Sequence, residues 1–209
     1  MKNRTMLIIC VGLILLSFAL SIALAGSFPE QMASHWNEKG EADGYSGKTF
    51  GLFFLPILQV GVLLLMASIP LLDPMKKNIA QFRGVYNGFI VVMAGYLTYL
   101  HLLTLMWNLG VSINMNALLA PAFAALLYAA GVMMGKAKQN YMIGIRTPWT
   151  LANNQVWEDT HRVGGIVFKA CGVITLLGIV FPNCLMYLLL GSVLLAAAGL
   201  MAYSYIRFT

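Results

Sequence analysis

Six apolar stretches, each long enough to cross a bilayer, constrain this chain more than any other feature. They run Met6–Ala25, Gly51–Leu72, Val85–Trp107, Ala117–Gly135, Ile166–Phe181 and Leu185–Ile206. A spanning helix needs about 20 predominantly apolar residues. The fifth stretch is the shortest, and its helix is expected to begin earlier, near Val163. All are too long and too uniformly apolar to be core strands. Within lipid every backbone N–H and C=O must be satisfied internally, which a helix does by itself. Composition agrees, with 60% of the 209 residues hydrophobic and 10% charged, against about 45–50% and 25% in soluble domains. The surplus apolar surface has to face lipid. The expected fold is therefore all-α: a polytopic membrane protein of six transmembrane helices, with residues 1–209 as a single membrane-embedded domain.

The formal net charge of +6 raises the question of nucleic acid, and the distribution of charge answers it. Lys2, Arg4, Lys76, Lys77, Arg83, Lys136, Lys138, Arg146, Arg162, Lys169 and Arg207 fall on one side of the predicted spans. Of the 13 Lys and Arg, that leaves Lys39 and Lys48 for the other side. This asymmetry is a positive-inside signal and puts both termini in the cytoplasm. Basic residues beside membrane ends meet anionic lipid headgroups, so membrane lipids account for the charge without direct nucleic-acid binding. A cleaved signal peptide is the rival reading of Met1–Ala25, with Ala23-Leu24-Ala25 as its cleavage site. The apolar run is longer than the roughly 7–15 residues of a signal peptide, which favours an uncleaved first helix.

Each side of the membrane then receives one substantial polar segment. The outer one is the loop 26–50. The inner one, an inner loop with an interfacial helix, covers 136–165. No Asp or Glu lies in the six stretches, and Lys169 near the start of the fifth is their one basic residue. Ion-coupled transporters ordinarily carry ionisable groups inside the membrane. His101, Thr104 and Asn108 share one face near the outer end of the third helix. Interhelical hydrogen bonding is the simpler role for them, and an outward-facing polar pocket the alternative. Cys10, Cys171 and Cys184 show no CxxC or ligand spacing, so neither a disulfide framework nor a cysteine metal site is expected.

The outer loop reads FPEQMASHWNEKGEADGYSGK. Phe28 and Trp36 suit headgroup level, and Gly40 and Asp43-Gly44 are turn signals. Glu30, Glu38, Glu41 and Asp43 outnumber Lys39 and Lys48, so the loop is mildly acidic. His35 with these carboxylates matches no HExxH or EF-hand pattern, and a folded cap presenting a binding surface is expected instead of a metal site.

The inner island, NYMIGIRTPWTLANNQVWEDTHR, holds two of the four Trp. Thr147 precedes Pro148 and is biased to extended backbone. A helix is expected to begin at Asn153 or Asn154, both good caps. Val156, Trp157, Thr160 and Val163 form its apolar-leaning stripe, while Glu158, His161 and Arg162 lie on another face. Glu158 and Arg162 are spaced for an i, i+4 pair. Gly164-Gly165 is expected to turn this interfacial helix into the fifth span. Glu158, Asp159, His161 and Arg146 include acid, base and anion-binding types, yet no GxSxG, HExxH or P-loop pattern is present. No catalytic residue, metal or cofactor is assigned.

The island, with Gly144, Arg146-Thr147-Pro148-Trp149, Val156-Trp157, Thr160-His161-Arg162 and Gly164-Gly165, resembles the signature of the SdpI immunity-protein family. The outer loop adds Pro29, His35-Trp36-Asn37, Gly40, Asp43-Gly44-Tyr45 and Lys48, similar to the block that follows the first span in that family. The resemblance implies a bacterial cell-membrane protein that protects against a secreted, membrane-active peptide toxin. It also implies recruitment of a cytoplasmic repressor protein as a signal. On that reading the outer-face binding residues are His35, Trp36, Asn37, Asp43, Tyr45 and His101. The inner-face ones are Arg146, Thr147, Trp149, Trp157, His161 and Arg162. A small-molecule transporter, or a membrane enzyme acting on lipid or envelope precursors through Arg146 and His161, are the alternatives.

Overall fold

The computed structural model describes residues Met1–Thr209 and gives each apolar stretch one helix. After α1 (Asn3–Ala23), the chain forms a hairpin of β1 (Gln31–Trp36) and β2 (Ala42–Gly47). It then continues through α2 (Lys48–Leu72), the short α3 (Lys76–Gln81), α4 (Arg83–Asn108) and α5 (Met115–Met134). The short α6 (Pro148–Ala152) precedes α7 (Asn154–Thr175), which a 3-10 turn extends to Ile179. A π-wound segment, Tyr187–Gly191, opens the last span and leads into α8 (Ser192–Phe208). The membrane part is helical, as expected. The hairpin is β structure that the all-α reading did not anticipate.

Lipid-facing surface is plain from what the helices leave uncovered: Leu71 is 75% and Leu195 is 76% exposed, each inside a spanning segment. α4 is the central helix and packs on α1, α2 and α5, while α5 packs on α7 and α7 on α8. One apolar core gathers Met6, Cys10, Ile79, Phe82, Tyr86, Ile90, Met133 and Trp157 near the helix ends that carry both termini. The Met1 ammonium donates to the Gly84 carbonyl at 3.1 Å, and Arg207 meets Asp159 at the first turns of α7. Both termini therefore lie on the face that holds residues 136–153. That face is called the loop face below, and the opposite one the hairpin face.

Polar groups inside the bundle bond helix to helix. Gln59 of α2 accepts from Ser17 of α1 at 3.3 Å and donates to Thr98 of α4 at 2.9 Å. Ser21 donates to the Leu52 carbonyl at 2.6 Å and lies 3.0 Å from Nε2 of His101. Bonds of this kind hold transmembrane helices together, at roughly 0.6 kcal/mol each on average. His101 is 1% exposed. Expected on an outer binding surface, it lies within this helix–helix seam.

The junction at Gly164-Gly165 also departs from expectation. α7 runs straight through it, so the interfacial helix and the fifth span are one element. The glycines serve close approach instead of a turn. A Cβ on Gly165 would stand 3.0 Å from the Gly131 carbonyl oxygen and the Gly135 Cα, and one on Gly172 would stand 2.8 Å from the Ala124 carbonyl oxygen. Gly131 and Gly135 on α5 form the small-xxx-small spacing that lets backbones meet in lipid.

Candidate functional site

The hairpin is made by turn chemistry. Oδ1 of Asn37 accepts from the backbone N–H of Lys39 at 2.9 Å and of Glu41 at 3.1 Å, closing an Asx-type turn. Gly40 completes it at φ 78°, a conformation open to glycine. Gly44 is not in the turn. It pairs with His35 across the strands, where a Cβ would stand 2.8 Å from the His35 Cβ. Ser34 and Asp43 fall outside the paired register, each next to a bulge. This irregularity brings the His35 ring nitrogen Nδ1 to 2.5 Å from an Asp43 carboxylate oxygen.

The bundle supports the hairpin from below. Asn108 of α4 accepts from the Ala33 N–H at 2.7 Å and donates to the Ala33 carbonyl at 3.0 Å, satisfying both backbone groups of one strand residue. Asn116 of α5 donates to the Glu38 carbonyl at 2.8 Å. Trp36 meets Trp107 edge to face with centroids 5.9 Å apart. Phe28, expected at headgroup level, is covered by protein. It is buried with Met32, Leu52 and Leu105, anchoring the start of the hairpin in the bundle. Tyr45 points away and is 63% exposed.

Between hairpin and helices lies a cavity of about 880 Å³. Its polar lining includes His35, Asn37, Glu38 and Asp43. Its apolar lining includes Phe50 and Phe54 of α2, Leu119 and Phe123 of α5, and Leu190 of the π-wound segment. The outer residues singled out from sequence thus separate. His35, Trp36, Asn37 and Asp43 line one cavity, while Tyr45 and His101 do not. The apolar lining residues carried no separate signal, because in sequence they are indistinguishable from lipid-facing ones.

The loop face is built on a different principle. The side chains of Gln139, Asn140, Arg146, Thr147, Thr150, Asn153, Trp157 and His161 all bond backbone groups. Asn140, fully buried, accepts from the N–H groups of Met142 and Ile143 and donates to the carbonyls of Lys138 and Ile143. Asp73 reaches across from the end of α2 to accept from the Tyr141 N–H at 2.9 Å. Thr147 caps α6 in a reciprocal box with Thr150, and its hydroxyl lies 3.0 Å from that of Ser204 in α8. Asn153 caps α7 through the N–H groups of Gln155 and Val156.

Trp157 and His161 are the centre of this arrangement. Trp157 is fully buried, and its indole N–H donates to the Ala137 carbonyl at 2.9 Å. His161 stacks on it, with ring centroids 3.9 Å apart and 17° between planes. Nε2 of His161 accepts from the Ile145 N–H at 2.9 Å, and Nδ1 lies 2.9 Å from the Trp157 carbonyl. Nδ1–H must be the donor there, since a carbonyl only accepts. Both nitrogens are committed, and the ring occupies the neutral tautomer. Gly144 makes room: its φ is 112°, and a Cβ there would collide with the His161 Nε2.

Trp157, His161 and Thr147, expected on an inner binding surface, are buried and face inward. The buried ring also lacks the free nitrogen that the membrane-enzyme alternative requires of His161. Arg146 and Arg162 remain exposed, and Trp149 is half-buried against Tyr205 with centroids 5.1 Å apart. The expected Glu158–Arg162 pair does not form. Glu158 pairs with Lys138 at 2.9 Å, and Arg162 with Asp159 at 3.0 Å. Asp159 is shared with Arg207 at 2.5 Å, tying α7 to the end of α8. Sequence reasoning passed over Asp73 and Asn140, which stand in no motif.

The SdpI/YfhL protein family matches over residues 136–204, and a domain of unknown function (DUF1648) over residues 12–60. These two ranges contain the loop-face network and the hairpin respectively. The chain is similar to the immunity protein SdpI of Bacillus subtilis (strain 168), at 30% identity over 167 residues, covering 80% of this chain and 78% of that protein. No solved structure matches.

Proposed function

This chain belongs to the SdpI family, and we propose that it is an immunity protein of the bacterial cell membrane that guards its host against a secreted, membrane-active peptide toxin. The observation that carries this reading is similarity along most of the chain to a protein named for immunity. The charge asymmetry supports a cytoplasmic loop face with both termini inside, and an outward hairpin that meets the toxin first. Residues 1–209 act as one membrane-embedded unit.

A relay role rests on α8 and its π-wound start. Tyr187 and Gly191 line the cavity under the hairpin. At the other end Ser204, Tyr205 and Arg207 touch Thr147, Trp149 and Asp159. One rigid element thus joins the cavity wall to the loop. In this proposal Arg146, Arg162 and Trp149 form the surface that recruits a cytoplasmic repressor, and Trp157, His161 and Thr147 position it.

Expression in a toxin-sensitive bacterium tests the immunity role. Survival in the presence of secreted peptide toxins is expected, and unchanged killing across several related peptides would contradict it. Repressor recruitment to the membrane is expected to fail in Arg146→Ala with expression and protection intact. Recruitment that persists in both Arg146→Ala and Trp149→Ala rules out the relay surface.

A further inference from the structure

The cavity under the hairpin has a chemistry that selects its occupant. Its volume of about 880 Å³ lies in the range of ligand sites, roughly 300–1,000 Å³. That is space for several apolar side chains and not for a whole peptide. Phe50, Phe54, Leu119 and Phe123 supply an apolar lower part, at the ends of two spanning helices. The roof carries the carboxylates of Glu38 and Asp43, and no Lys or Arg is among the lining residues. His35, the one histidine of the lining, is already paired with Asp43.

This charge pattern discriminates between the two occupants available there. A phospholipid would bring its phosphate to two carboxylates with no cation to receive it, and like charges at close range repel. An apolar segment ending in an amine, from a lysine or an amino terminus, meets complementary charge. The wall adds a second sign of a working site. Its Tyr187–Gly191 segment is π-wound, a helix defect frequent at functional sites.

We propose that this cavity binds the apolar side of a membrane-active peptide, with the peptide's amino-bearing end against Glu38 and Asp43. The proposal rests on the immunity reading and assigns that reading its contact site.

The test uses the full chain in phosphatidylcholine nanodiscs and two synthetic leucine–alanine helices carrying a photoreactive leucine. One bears two lysines at one end and the other two glutamates. Cross-links are mapped by mass spectrometry. The lysine peptide is expected to attach to α2, α5 and the π-wound segment with a yield about fivefold above the glutamate peptide, as one partly screened ion pair would give. Leu119→Trp, whose larger ring narrows the apolar part of the cavity, is expected to reduce that attachment. The exposed pair Glu38→Gln and Asp43→Asn is expected to keep it and to abolish the preference for lysine, which covers the case of a misfolded Leu119→Trp.

Equal yields for both peptides in the wild type would overturn the proposal. So would cross-links confined to the lipid-facing sides of α2 and α8. A photoreactive phospholipid that labels the cavity and is not displaced by the lysine peptide would identify lipid as the occupant and overturn it equally. Cross-linking that fails while the killing assay shows protection removes the cavity alone. Cross-linking that succeeds without protection in cells removes the immunity reading and leaves the cavity.

Discussion

The hairpin and the loop opposite it are both polar, motif-bearing segments of similar length, yet they are built to different ends. The hairpin owes its shape to local turn chemistry and touches the bundle through a few side chains, chiefly Asn108 and Asn116. Beneath it is open volume. The loop has little regular structure and almost no freedom, since Asp73, Asn140, Thr150, Trp157 and His161 satisfy its backbone from several directions. A rich motif can therefore mark packing as readily as recognition. The residues that look most reactive on the loop face, Trp157 and His161, are the ones most thoroughly enclosed.

The contrast is broken most severely at Gly144. Gly144→Ala combines a positive φ with a collision against His161, and a loss of about 2–4 kcal/mol is expected. Thermal unfolding in detergent checks it, and a variant as stable as wild type would show that the loop is loosely held. His161→Ala comes next. It leaves the buried Ile145 N–H without a partner and opens space beside Trp157, at about 2–3 kcal/mol by the same measurement.

On the hairpin side the expected effects are smaller and local. Asn108→Ala frees both backbone groups of Ala33, at about 1–2 kcal/mol. The predicted signature is faster amide exchange across 31–47 with exchange across 136–165 unchanged. Spread of the effect to the loop would mean that the two faces are not separable. The smallest effect belongs to Lys39→Ala at the exposed turn, within about 0.5 kcal/mol of wild type in thermal unfolding.

Much of this was legible in the sequence, for identifiable reasons. The six spans follow from length and apolarity alone. The extended backbone at Thr147 and the cap at Asn153 were readable because a residue before proline and an Asn before a helix carry local signals that tertiary structure had no cause to override. Gly164-Gly165 misled because glycine marks both a turn and a close helix contact, and only the presence of Gly131 and Gly135 on α5 decides between them. α6 carried a faint signal, a Thr-Pro-x-Thr box in which Thr150 stands where Glu or Gln is usual. The hairpin escaped because its strands are short and bulged, so the period-2 pattern breaks at Ser34 and Asp43. The cavity was out of reach of any local signal, since its walls come from α2, α5 and the start of the last span at once.

The two faces divide the labour, with a hairpin held at a few points over an open site on one and a densely hydrogen-bonded brace on the other. Hydrogen–deuterium exchange of the whole chain in lipid nanodiscs reads both faces in one experiment. The account predicts that amides of Ile143, Ile145 and Trp157 exchange only with global unfolding, while those of 37–47 exchange through local opening and slow when a peptide occupies the cavity. Rapid exchange at Ile143 and Ile145, with a hairpin that is fully protected in the empty protein, would contradict it.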